Sequence, residues 1–197
     1  MLTGHTEWDD NNWSRPVDHP TIFEVFRKAR AAPDTAAWAF VYASILAKAG
    51  ESRDPSYLNC GPNVVEPPTI PRLAAQVMSS RLTKAAATGS LAAEVAAARD
   101  AAKHARIAGR IDMSGLKSAA ARTFMEREFA AWQAGEGTSS HDAFLAECAI
   151  ACMHKFAPDV LVTQTGCDTH HSDPLTDLAA TMALYPALAA RVHSLVH

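Results

Sequence analysis

The stretch from Phe156 to Tyr185, FAPDVLVTQTGCDTHHSDPLTDLAATMALY, decides the reading of this chain. A short apolar run, Val160-Leu161-Val162, ends in a Thr-Gln-Thr-Gly turn, and the turn delivers Asp168, His170, His171 and Asp173 within six positions. The run reads as a buried strand whose carboxyl end carries a polar cluster. Open α/β sheets hold ligands in the crevice outside the carboxyl ends of their strands, so the position is functional in kind.

Carboxylate oxygen and neutral imidazole nitrogen suit a borderline divalent ion, zinc first among them, and a short loop aims several such donors at one point. The loop by itself does not finish a catalytic site, which usually takes three protein ligands and an open position. A purely structural role is equally concrete. Asp173 directly before Pro174 makes a good helix cap followed by proline at the first helical position. Asp168 can bond turn amides, as aspartate often does.

The run VTQTGCDTHHSDPLTDLA, with Tyr185 and the closing RVHSLVH, resembles the acetoin-utilisation branch of the histone-deacetylase superfamily over residues 156–197. In that branch an Asp-Pro-Leu segment follows a Gly-x-Asp-x-His turn, and the aspartate before the proline binds zinc. The resemblance implies that Asp173 is the ligand and that Asp168 and His170 shape the loop. The family's earlier His-His pair, earlier Asp-x-His ligands and later glycine-rich turn with its tyrosine have no counterpart in this chain; His170-His171 is its one His-His pair.

A second, more diffuse resemblance covers residues 1–160. LTGHTEWDDNNW, HPTIFEVFRKARAAPDTAAWAF and NVVEPP are similar to the middle of alkaline-phosphatase and sulfatase superfamily proteins. There an aspartate and a nearby histidine after a strand bind metal, which implies Asp168 and His171 here. The upstream nucleophile has no counterpart. The phrase FAPDVLV suits either family, so a phosphatase-like segment joined to a deacetylase-like tail at that seam is the expectation.

Outward from the loop, Ser139 and Asp142 can cap a helix at about 140–157 with a stripe of Leu145, Ala149, Cys152 and Phe156. His154 near its end reads as a surface residue. Helical segments at 175–184 and 186–196 follow the strand, read at 159–164. Thr21-Ile-Phe-Glu24 is a capping box opening a helix to Ala31 that buries Ile22 or Phe23 with Phe26.

Alternating Trp38, Phe40 and Tyr42 predict a strand over 37–43 followed by a short helical turn, and 50–71 reads as loop with Val64-Val65 as a short edge strand. Three helices then run over 71–88, 91–108 with Ser90 as cap, and 116–134. Leu73, Val77, Leu91, Val95, Met125, Phe129 and Trp132 lie on their apolar faces. Alanine dominates the first two, which bury little area each and need a partner surface.

The whole reads as α/β, a partial doubly wound sheet with an alanine-rich helical layer, an incomplete domain. Residues 1–134 form an α/β segment with a helical insertion, and 135–197 form the helix-strand-loop-helix unit that carries the loop. At 197 residues the chain is long enough for a sizeable core.

Eighteen basic against 21 acidic residues give a net charge of -3 and no field for nucleic acid or a membrane surface. Arg99, Lys103, Arg106 and Arg110 read as a solvated helix face. No transmembrane run or signal peptide is visible, so the cytoplasm is the expected location. Cys60, Cys148, Cys152 and Cys167 show no C-x-x-C spacing; Cys148 and Cys152, at i and i+4, read as small buried residues.

Three functions stay open: a zinc deacetylase of the acetoin-utilisation type, incomplete and weakly active or inactive alone; an alkaline phosphatase/sulfatase-type hydrolase fragment; and a non-catalytic α/β remnant. The first two imply a small-molecule acyl or ester substrate, and an oligomer or partner chain to complete the site.

Overall fold

The computed structural model of the protein describes residues 15–41, 48, 50–135 and 141–157. The chain divides into two compact units, Met1–Pro158 and Asp159–His197. The second lies outside the described residues, and with it the strand expected at 159–164, the loop behind it and the two helical segments that close the chain.

The first helix, α1 (Ile22–Arg30), starts where the capping box places it. The Thr21 hydroxyl accepts the Glu24 amide at 3.4 Å, and the Glu24 carboxylate accepts the Thr21 amide at 2.8 Å. Its buried face corrects the apolar one read from sequence. Ile22 stands 45% exposed, Phe23 and Phe26 are half-buried, and Glu24 is the residue that α1 buries.

The reason is polar. Glu24, Arg27 and Lys28 share one side of the helix by their i, i+3, i+4 spacing. Glu24 takes hydrogen bonds from Ser52, and Arg27 donates to the Asn59 and Gly61 carbonyls. Lys28 donates to the Ser56 carbonyl and lies 4.1 Å from the centre of the Tyr57 ring. These bonds tie the helix to the backbone of residues 50–61, with Glu24 buried, Arg27 half-buried and Lys28 exposed at the outer end of the contact.

Strand β1 (Trp38–Phe40) falls inside the expected 37–43, and the Val41 amide extends its ladder to the Val65 carbonyl at 2.9 Å. The helical turn expected after it falls largely outside the described residues. Strand β2 (Asn63–Val65) pairs with β1 in parallel, Trp38 opposite Asn63 and Phe40 opposite Val65. All three β2 residues are buried, and the free edge read for Val64-Val65 is covered. The Val64 amide donates to the Gly115 carbonyl at 3.0 Å. A side chain at Gly115 would put its Cβ 2.7 Å from the Val64 carbonyl oxygen, so that approach requires glycine.

Asn63 locks the pair further: its amide group donates to the Asp34 carbonyl at 2.7 Å and its oxygen accepts the Lys117 amide at 2.8 Å.

Helices α2 (Arg72–Ala86) and α3 (Leu91–Ala108) form the alanine-rich hairpin, with Ser90 capping α3 through the Ala93 amide. The faces named from periodicity are open to solvent here. Leu73 is 74% exposed, Leu91 75%, and Val77 and Val95 are exposed too. Short alanines bring the two helices together along a narrow stripe, which leaves the larger side chains outside it.

Arg99, Lys103 and Arg110 are exposed as expected, but Arg106 is buried and corrects the solvated-face reading. The end of α3 docks on the next helix, where Gln133 donates to the Arg106 carbonyl at 3.1 Å, and the docking covers that side chain.

Helix α4 (Ala119–Ala134) begins at a Ser118 cap, three residues later than the 116 read from sequence, with Leu116 buried just ahead of it. Helix α5 (His141–Phe156) follows the expected span. Its buried side chains are Phe144, Leu145, Cys148 and Cys152; Ala149 and Phe156, placed in the stripe by spacing, are only half-buried.

Val65, Leu116, Ala121, Phe124, Met125, Trp132, Phe144, Leu145, Cys148 and Cys152 form one core, edged by Trp38, Phe40 and Phe156. Trp38 meets Phe124 edge-on at 5.5 Å and stacks with Phe156 at 5.3 Å. A parallel pair of three-residue strands makes too few ladder bonds to stand by itself. The aromatic contacts hold it against α4 and α5.

The class is mixed α/β: among the described residues, five α-helices and a two-stranded parallel sheet. None of these helices is long and apolar enough to cross a membrane.

Candidate metal centre

Asp168, His170, His171 and Asp173, the four candidate ligands, all lie outside the described residues, as do Cys167 and Tyr185. What the structure describes is the approach to them. Helix α5 ends at Phe156, whose ring packs 5.2 Å from that of Phe124. Ala157 then adopts φ 42, with its amide bonded to the Met153 carbonyl at 3.0 Å. Pro158 explains the stop, because the residue before a proline is pushed out of the helical region.

The donor types of the loop, two carboxylates and two imidazoles, are ones that zinc accepts. Among the described residues no group of three or more His, Cys, Asp or Glu could hold a metal ion. His154 is exposed near the end of α5, in keeping with the surface role read for it.

Cys148 and Cys152 are each 2% exposed and free of disulfides. Burial pushes both thiols up to about 12, with the charges of Glu128 and Glu147 adding to the effect at Cys148. A metal-binding or nucleophilic cysteine must be a thiolate, so these two are inert at neutral pH.

The described carboxylates divide by environment. Burial and then the neighbouring charge of Asp112 raise the Glu66 carboxyl. Burial also acts to raise Glu51, but the hydrogen bonds and charges of Lys117 and Lys48 outweigh it and lower the group below its ordinary value.

Sequence reading missed the polar groups that organise this unit, Glu24, Asn63 and Arg106, all buried. Only Glu24 left a signal, its place in the capping box. The hydrogen-bond partners of Asn63 are distant in sequence and follow no spacing rule, and Arg106 lay on a helix face that its charged neighbours marked as solvated.

A family model described as the histone deacetylase domain matches residues 114–197. "Acetoin utilization protein AcuC" of Bacillus subtilis (strain 168) is 45% identical over 42 residues, which are 21% of this chain and 11% of that protein. The match therefore spans about a tenth of that relative's length. No solved structure matches the chain.

The family match begins at Ser114, upstream of the stretch that first carried the likeness, and takes in α4 and α5. Neither match supports the alkaline-phosphatase and sulfatase resemblance of residues 1–160. Over residues 114–197 the chain resembles the histone deacetylase domain, and over 42 residues it resembles the acetoin utilisation protein.

Proposed function

We propose that this chain carries the metal-ligand loop of a deacetylase-type hydrolase, with Asp173 as a zinc ligand and Asp168 and His170 shaping the loop around it. The supporting observation is that the run Gly166-Cys-Asp-Thr-His-His-Ser-Asp173-Pro-Leu lies within the stretch matched by the histone deacetylase domain.

When bound, zinc polarises a carbonyl and lowers the pKa of a coordinated water. Asp173 contributes an anionic oxygen donor to hold it. In this reading Asp168 and His170 shape the loop that carries that donor, and His171 is a further nitrogen donor close by in sequence. The substrate class is a small-molecule acyl compound, as the acetoin-utilisation likeness implies; nothing in the composition points to nucleic acid or to a membrane surface. The cytoplasm is the proposed location.

The proton-transfer histidine pair, the earlier Asp-x-His ligands and the later tyrosine turn have no counterpart in this chain. The chain alone therefore hydrolyses weakly or not at all, and in this reading a partner chain that carries those groups completes the site.

Zinc competition against a chromophoric chelator, run beside thermal unfolding with and without zinc, tests the reading. A ligand that binds only the folded state raises the midpoint. The wild-type protein should take up zinc and melt higher, Asp173→Ala should lose both effects, and His171→Ala should keep part of them. A chain indifferent to zinc sinks the proposal. So does loss of zinc in His171→Ala with retention in Asp173→Ala, which is the pattern of a phosphatase-type site.

A further inference from the structure

We draw no further inference here: the strongest candidate, the outer face of the α2–α3 hairpin, where Leu73, Val77, Leu82, Leu91 and Val95 stand exposed, carries nothing because no feature of the structure shows what covers it.

Discussion

Glu24 and Ser52, 28 residues apart, are joined twice: one carboxylate oxygen of Glu24 accepts the Ser52 amide at 2.9 Å and the Ser52 hydroxyl at 3.0 Å. The other oxygen accepts the Thr21 amide. A helix cap and a tertiary tie thus share one buried carboxylate. Glu24→Gln should cost about 1.5–3 kcal/mol, the range for hydrogen bonds to charged groups. Each carboxylate oxygen faces a backbone N–H, so either setting of the glutamine amide opposes one donor with another. Urea unfolding should show a lower midpoint with an unchanged slope; a midpoint equal to wild type would mean that solvent replaces these bonds.

The core and the hairpin should respond oppositely to truncation. Phe124 is fully buried and meets both Trp38 and Phe156, so Phe124→Ala should lose about 3–5 kcal/mol through the cavity it leaves. Leu73→Ala, at a site 74% exposed, should stay within about 0.5 kcal/mol of wild type. Chemical denaturation of the two variants side by side measures this, and a large loss at Leu73 would show that its face is covered in solution.

Thiol labelling separates the cysteines. In a Cys167→Ser background at pH 8, an aromatic disulfide reagent should react promptly with half-buried Cys60, and with Cys148 and Cys152 only after unfolding. The sign of the pH effect follows from thiols raised from 9.0 to about 12. Below pH 9 neither state ionises them, so stability is untouched. Between 9 and 12 the unfolded chain releases protons that the folded chain retains, and stability falls. Prompt native labelling of all three thiols would contradict the buried placement of α5.

Glu51 should shape the acid limb of the stability profile. Its folded carboxyl is lowered from 4.5, so its contribution is present above that pH and fades as the pH falls through the folded value. Glu51→Gln should therefore narrow the gap to wild type steadily below pH 4.5. Lys117→Met, which removes the foremost charged partner, should give the same flattening. Parallel acid limbs in all three proteins would mean that the ion pair is not formed in solution.

The legible parts of the fold were those written in neighbouring residues. The Thr21–Glu24 box and the Ser90 cap use side chains within three residues of the amides they satisfy, so short sequence suffices to find them, whereas the Ser118 cap of α4 went unread and the helix starts three residues later than its sequence reading. The span of α5 was legible for a related reason, since the capping-type residues Ser139 and Asp142 mark its start in the sequence. The candidate metal loop was legible as a motif, because its four donors fall in one run of six positions.

Periodicity failed where burial depended on a distant partner. Leu73 and Leu91 sit on apolar stripes yet meet solvent, while Glu24 and Arg106 break their apolar faces and are buried.

By itself, then, the sequence determined about where the described helices lie, the start of α4 excepted, together with the donor types of residues 168–173 and the deacetylase likeness, since local hydrogen bonding and contiguous motifs need no third dimension. Only the tertiary structure decided which faces turn inward. It paired β1 with β2 across 22 intervening residues, set Gly115 against the second edge of β2, and gave Glu24 its partner in Ser52. Those contacts join segments remote along the chain, and a buried polar group is stable only where such a partner meets it.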